Sequence, residues 1–186
     1  MLTEKEIEII EGCRKGDSSC QKALYNTFGP LIKGICMRYT ENLEEAEDLF
    51  HDVFIFILTH FEQYNKITSL GGWLRQITVN KAIDYVRRKH RWTAIPMSQF
   101  EVNPAVETTH EYDGIPMEVL LGFVNQLPQN YRTVFNMYVV DDICQDRIAE
   151  VLSLTKNNVS TLISRAKEKL RKEIEKYLKN EEYNYQ

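Results

Sequence analysis

Glycine and proline are scarce in this chain of 186 residues, with eight and five copies respectively. Both residues interrupt helices, whereas the abundant Leu, Ile, Glu and Lys are good helix formers. The composition therefore predicts an all-α fold. Apolar residues make up 43% of the chain, which is enough to build buried cores and excludes an intrinsically disordered protein.

Long apolar runs and paired cysteines are missing as well. No stretch approaches the roughly 18 apolar residues of a membrane-spanning helix, and the amino terminus is acidic rather than signal-like. The four cysteines form no CxxC pair and have no histidine at zinc-binding spacing. We therefore expect a soluble, reduced, cytoplasmic protein with no metal, no cofactor and no membrane insertion.

No catalytic constellation is evident. The histidines His51, His60, His90 and His110 have neither metal-binding nor triad spacing, and Gly71-Gly72 is too short for a phosphate-binding loop. An enzyme is therefore the most remote interpretation, and we expect no catalytic residue.

Positive charge is absent from one central segment. The formal net charge is −4, yet residues 1–92 and residues 118–186 are each neutral, and residues 93–117 hold four acids and no Lys or Arg. Helical periodicity also disappears there, and three prolines interrupt the segment, which is typical of a linker. The sequence therefore predicts two small helical domains, 1–92 and 118–186, joined by an acidic flexible linker at 93–117.

Helix starts and loops can be placed within the first domain. Asp17 and Asn42 can each cap a helix, and Glu45 follows Asn42 at the capping-box position. A polar loop is predicted at residues 62–72, and a further helix over about 73–91.

The segment from Ile148 to Lys167 has the pattern of a helix-turn-helix. A short helix and a tight turn precede a second helix that Thr155 can cap. From Val159 onward, apolar residues at helical spacing predict a buried face, which leaves polar and basic residues to face a DNA groove. The candidate hydrogen-bond donors are Lys156, Asn157, Asn158, Ser160, Thr161, Ser164, Arg165 and Lys167.

Two parts of the chain resemble conserved regions of bacterial RNA polymerase sigma factors. Residues 45–54 (EAEDLFHDVF) and 72–88 (GWLRQITVNKAIDYVRR) resemble the second region, and residues 118–172, with Leu127-Pro128 and the helix-turn-helix, resemble the fourth. The linker cannot hold a third-region domain, as in the extracytoplasmic-function (ECF) subgroup. The resemblance implies a factor that binds core RNA polymerase and promoter DNA, directs promoter-specific initiation at minus-ten and minus-thirty-five elements, and is held by an anti-sigma partner.

The resemblance assigns the helix at 73–91 to the minus-ten element. The amide of Asn80 can read a base edge and the arginines suit phosphates, whereas Asp84 is expected to be an ion-pair partner of the neighbouring arginines. Tyr64 and Trp73 are candidates for stacking on an unpaired base, although Trp73 is expected at least equally as a core residue. The predicted minus-ten residues are Tyr64, Gln76, Asn80, Lys81, Arg87, Arg88 and Arg91.

The resemblance also implies that the preceding helix docks on the clamp helices of the polymerase's largest subunit. A polar and acidic face suits a basic partner, although acids at a helix start are also favoured by the helix dipole alone. The predicted polymerase-binding residues are Asp48, Leu49, His51 and Asp52.

Several residues of the helix-turn-helix depart from the family pattern. Arg147 replaces the usual Glu, and Ser153 stands where the turn often has Gly, at a cost of ~1 kcal/mol if that residue is left-handed. Ser160 and Leu162 stand where Lys and Arg are common. We therefore expect weaker or different recognition of the minus-thirty-five element.

Two other interpretations stay open. A sigma-like factor could hold polymerase or an anti-sigma partner while it reads DNA poorly; it would bind polymerase without promoter-specific initiation. A one-component repressor would use the helix-turn-helix alone, which leaves residues 44–91 without a role.

Overall fold

The computed structural model describes residues 2–64, 69–89 and 115–184, and the chain divides into two compact units, Met1–His90 and Arg91–Gln186. The regular structure within these described ranges is helical, which confirms the predicted all-α class. Residues 93–114 of the predicted linker lie outside the described residues. Among the described helices, none is long and apolar enough to cross a membrane.

The described part of the first unit consists of four α-helices and a short 3-10 turn. The helices are α1 (Glu4–Arg14), α2 (Ser18–Tyr39), α3 (Leu43–Thr59) and α4 (Leu70–Lys89), and the 3-10 turn is Phe61–Gln63. Helix α2 packs against the other three helices. Its buried side chains, among them Leu24, Ile32 and Tyr39, form the centre of this unit.

The predicted side-chain caps at Asp17 and Asn42 are confirmed, whereas the Glu45 carboxylate, expected to complete a capping box, accepts a hydrogen bond from the Glu41 N–H at 3.3 Å. The Asp17 carboxylate accepts a hydrogen bond from the Ser19 backbone N–H at 2.7 Å, and the Asn42 side-chain oxygen accepts one from the Glu45 backbone N–H at 2.9 Å. Each cap satisfies a backbone donor that the first helical turn leaves without a partner. The starts of α2 and α3 are therefore set by local sequence.

The prediction for the start of α4 was wrong by three residues. The helix begins at Leu70 rather than Trp73, so the predicted loop at 62–72 ends earlier than expected. The hydroxyl of Ser69 accepts a hydrogen bond from the Gly72 N–H at 3.1 Å, which caps the first turn. Glycine has a low helix propensity, and two consecutive glycines concealed this start in the sequence.

The described part of the second unit also contains four α-helices. They are α5 (Met117–Asn125), α6 (Gln129–Phe135), α7 (Gln145–Leu152) and α8 (Lys156–Asn184), and a π-helical segment, Asn136–Val140, follows α6 directly. Helix α8 packs against the other three α-helices. Its apolar residues Val159, Leu162, Ile163, Ala166 and Leu170 are all buried, which confirms the predicted core face.

The turn between α7 and α8 has the predicted helix-turn-helix geometry. Ser153 is left-handed, with φ 55° and ψ 40°. The Leu154 N–H donates to the Ala149 carbonyl at 2.9 Å, and the Asn158 N–H donates to the Thr155 hydroxyl at 3.2 Å. The predicted cap at Thr155 is thereby confirmed, and three residues separate the end of α7 from the start of α8.

Candidate nucleic-acid and partner interfaces

The outer face of α4 carries the exposed candidate DNA readers. Gln76 and Asn80 are exposed, since the apolar side of the helix is turned into the core. Arg87 is also exposed and its guanidinium lies 3.0 Å from the Asp84 carboxylate, which confirms Asp84 as an ion-pair partner. Arg91 lies outside the described residues.

Lys81 connects α4 to α3. Its ammonium lies 3.5 Å from the centroid of the Phe56 ring, and the His60 imidazole stacks on the same ring at 3.8 Å. A cation over an aromatic face is attracted by the ring quadrupole, most strongly where it is partly desolvated. Half-buried Lys81 is therefore a packing residue in this structure, unlike the exposed candidates Gln76 and Asn80.

The structure buries Tyr64, contrary to the expectation that it stacks on an unpaired base. Its side chain is 0% exposed and packs against Phe61 and Trp73, with ring centroids 6.4 and 5.2 Å away. The guanidinium of Arg14 donates to the Tyr64 backbone carbonyl, and burial raises the pKa of the Tyr64 hydroxyl. No base can reach the ring, so Tyr64 is a core residue.

Helix α3 presents an exposed acidic face that also contains an isoleucine. Asp48, His51 and Asp52 are exposed, whereas Leu49 is only 3% exposed, so the prediction of Leu49 as a contact residue is corrected. Ile55, one helical turn beyond His51, is 60% exposed. Sequence reasoning missed Ile55 because it lies within an apolar run whose other members mostly face the core.

A groove with a volume of about 280 Å³ lies between α3 and α4. It combines an apolar floor with one carboxylate and two cations at its walls. Its lining residues are Leu49, Asp52, Ile55, Phe56, Thr59, Lys81 and Arg88. The groove brings Arg88, a predicted phosphate contact, close to the exposed acid Asp52 of α3. The two residues are 36 positions apart in sequence, so their proximity could not be predicted from the sequence.

Helix α8 exposes most of its predicted donors. Asn158 is the exception: it is 8% exposed because it lies next to Val159 on the side that packs into the unit, so it is corrected to a core residue. Thr161 and Arg165 are half-buried. The fully exposed donors are Lys156, Asn157, Ser160, Ser164 and Lys167.

The departures from the family pattern have different structural consequences. Leu162 is 2% exposed and adds apolar contact to the core, so its identity does not change the exposed surface. Ser160 is exposed and does replace a cation there. Arg147 pairs with Glu150 at 2.7 Å, and Lys156 pairs with Asp146 at 3.0 Å, so two of the cations near the turn are neutralised by acids of α7.

Both parts of the chain match models of known protein families. The model for Sigma-70 region 2 matches residues 24–93, and the model for Sigma-70, region 4 matches residues 117–170, which is about two thirds of the chain. The chain belongs to the sigma-70 family. In this sigma factor, the region 2 match contains α3 and α4, and the region 4 match contains the helix-turn-helix.

Curated relatives of this sigma factor include members of the ECF type. The ECF RNA polymerase sigma factor SigW of Bacillus subtilis (strain 168) is 25% identical over 190 residues, which cover 94% of this chain and 97% of that protein. The ECF RNA polymerase sigma factor SigM of the same organism is 24% identical over 151 residues, covering 80% of this chain and 91% of that protein. Together with the region 2 and region 4 layout, these relatives confirm the resemblance to the ECF subgroup.

The chain is also similar in fold to chains of known structure. CnrH, in complex with the cytosolic domain of CnrY, aligns over 92% of this chain and 98% of its own, with a TM-score of 0.48 and 16% identity. The sigma factor RpoE of Bartonella quintana, in complex with the anti-sigma factor NepR, aligns over 83% of this chain and 96% of its own, with a TM-score of 0.45 and 16% identity.

Proposed function

We propose that this chain binds core RNA polymerase and directs promoter-specific transcription initiation. The observation that carries the proposal is the presence of regions 2 and 4, in that order, in two compact units. Each unit leaves polar faces exposed beside a packed core. As a regulatory subunit it leaves the chemistry to the polymerase, and it acts in the cytoplasm, where the polymerase is.

The face of α3 is the proposed contact with the polymerase. Asp48 and Asp52 supply negative charge for a basic partner, and Ile55 adds an aliphatic side chain that is 60% exposed. Burying an apolar side chain on association is favourable at roughly 25 cal/mol per Å². Charge complementarity at the rim orients the encounter and increases its rate.

The outer face of α4 is the proposed reader of the minus-ten element. Asn80 can donate and accept at one base edge, and Gln76 lies one turn before it. Arg87 and Arg88 lie further along the same helix, where they can contact the adjacent phosphates. Capturing bases outside the stack would offset the few kcal/mol lost on unstacking each step. The bases themselves would have to be held by residues other than Tyr64, which is buried.

The exposed side of α8 is the proposed reader of the minus-thirty-five element. Asn157, Ser160, Ser164 and Lys167 form a polar surface in which only one residue is cationic. We propose that this helix enters the major groove as in other helix-turn-helix proteins, with a small phosphate contribution. An anti-sigma protein is proposed as a further partner, as the ECF resemblance implies.

Two substitutions separate the proposed interfaces. In Ile55→Arg, binding to core polymerase is expected to fall at least tenfold, because a charge replaces the aliphatic contact at the interface centre. In Asn80→Ala, polymerase binding is expected to persist while discrimination between promoter and altered minus-ten DNA falls by about 1–3 kcal/mol. Fluorescence titration with core polymerase and competition between promoter fragments give these two values.

Glu173→Gln is the matched control, since Glu173 is an exposed residue of α8 beyond the region 4 match. It should behave as the unmodified chain in both assays. Full polymerase binding by Ile55→Arg would contradict the α3 interface. Polymerase binding by the unmodified chain without any promoter preference would instead favour the sigma-like factor that reads DNA poorly.

A further inference from the structure

Glu45 joins the first turn of α3 to the last turns of α4. Its carboxylate accepts a hydrogen bond from the Tyr85 hydroxyl at 2.7 Å and one from the Lys89 ammonium at 2.6 Å. Lys89 also lies 3.6 Å from the Glu41 carboxylate. Both oxygens of one carboxylate therefore hold residues that are 40 and 44 positions away along the chain.

The position of Glu45 in α3 fixes its carboxylate. Asn42 caps the helix by accepting from the Glu45 N–H, and the Asn42 side-chain amide donates back to the Glu45 carboxylate at 3.1 Å. A negative charge in the first turn is further stabilised by the helix dipole. The acceptor is therefore positioned by contacts at the start of α3 as well as by its bonds to α4.

The Glu45–Lys89 contact is partly shielded from solvent. The side chains of Glu45 and Lys89 are 25% and 31% exposed. Burial alone would raise the pKa of Glu45, but hydrogen bonds from Lys89 and Tyr85 outweigh it and lower that pKa to about 2. Burial and the bond to Glu45 raise the pKa of Tyr85 to about 12. The carboxylate and the phenol are therefore in their bonded protonation states throughout the neutral range.

Tyr85 and Lys89 lie behind the proposed DNA-reading face. At about 100° per residue, Lys89 lies about 180° around α4 from Asn80, and Tyr85 lies about 140° from it. The two tethered side chains thus hold the helix from the side that faces α3, near the end where Arg87 and Arg88 are located. A rotation of α4 that moved Asn80 would have to break these bonds.

We propose that Glu45 is a positioning residue that acts through Tyr85 and Lys89. Its bonds to them fix the rotation of α4 about its own axis and therefore the orientation of Asn80 toward the minus-ten element. This inference rests on the proposed function. Helix α3, the proposed polymerase-docking helix, thereby carries the reference point for the DNA-reading helix. Glu45 itself touches neither polymerase nor DNA in this role.

The test uses holoenzyme assembled from the full chain and core polymerase. Rates of open-complex formation are measured on a promoter and on the same promoter with an altered minus-ten element, and the ratio of the two rates is compared among variants. Tyr85→Phe removes only the hydroxyl, and Glu45→Gln removes the charge. Glu47→Gln is the matched control, because Glu47 pairs with Lys33 of α2 at 3.1 Å rather than with α4.

We expect the ratio to fall about fivefold in Tyr85→Phe and in Glu45→Gln, and to be unchanged in Glu47→Gln. Partial unfolding would lower both rates equally and leave the ratio unchanged, so a purely structural role is distinguished. Adding Tyr85→Phe to Asn80→Ala should lower the ratio no further. An unchanged ratio in both single variants would overturn the positioning role alone; absence of any promoter preference in unmodified holoenzyme would overturn the proposed function with it.

Discussion

A single backbone conformation determines the geometry of the helix-turn-helix. Ser153 has φ 55°, in the left-handed region where a side chain with a Cβ is strained and glycine is not. The turn nevertheless forms, because burial of Ile148 and Leu152 before it and of Val159 after it offsets the local cost. Packing therefore overrides an unfavourable local preference at this residue.

Ser153→Gly is expected to stabilise the second unit. Relief of the left-handed strain should raise the free energy of unfolding by about 1 kcal/mol, measured by urea-induced unfolding. Ser164→Gly is the control, since Ser164 is exposed within α8, where glycine should cost roughly 0.5–1 kcal/mol. Destabilisation by both substitutions would contradict the strain at Ser153.

At the scale of helices, the features that depend on neighbouring residues in sequence were predicted more accurately than those that depend on tertiary contacts. The caps at Asp17, Asn42 and Thr155 depend on residues within three positions, so the sequence alone was sufficient to find them. The buried face of α8 followed from helical periodicity in the same way.

Burial of individual side chains could not be read with the same accuracy. Leu49, Tyr64 and Asn158 were predicted to contact partners, yet each is at most 8% exposed. The Tyr64 ring packs against Phe61 and Trp73, and its backbone carbonyl accepts a hydrogen bond from Arg14, which lies 50 residues away in sequence. Such neighbours are determined by the packing of whole helices and have no local signature, which is also why the tether at Glu45 was not predicted.

Leu162 and Ser160 provide a test of which face of α8 is buried. Leu162→Arg should destabilise the second unit by at least about 3 kcal/mol, because it places an unpaired guanidinium in the core. Ser160→Lys should change stability by less than about 0.5 kcal/mol and should make DNA binding more salt-dependent by about one unit of slope. Thermal unfolding and salt titrations measure both effects.

The opposite pattern would contradict the assignment of faces. If Leu162→Arg kept its stability and strengthened DNA binding, the buried and exposed sides of α8 would be exchanged relative to the structure. Val159, Ile163 and Ala166 are buried on the same side of α8 as Leu162. The expectation for Leu162→Arg therefore rests on four residues rather than on one.

At the scale of the whole molecule, the distribution of charge matters more than its sum. The formal net charge is −4, which by itself disfavours binding to nucleic acid. The negative excess lies in residues 93–117, however, and the segments on either side are balanced. Arg87 and Arg88 are both exposed in the last turn of α4, and Arg87 is paired with Asp84, so Arg88 is the cation to test as a phosphate contact.

Arg88→Gln tests that contact. If Arg88 contacts a phosphate, holoenzyme binding to promoter DNA should lose about one unit of slope in log K against log salt. Lys172→Gln is the control, because Lys172 pairs with Glu168 on an exposed turn of α8 at 2.7 Å and lies outside both proposed DNA faces. An unchanged slope for Arg88→Gln would mean that this residue contacts no phosphate.

The central claim is tested most directly by transcription in vitro with core polymerase from the same organism on fragmented genomic DNA, with and without this chain. The account predicts discrete new start sites that share two upstream elements, one for α4 and one for α8. Weaker use of those starts in Asn80→Ala, with polymerase binding retained, would connect them to region 2. Polymerase binding without any new start would contradict the account.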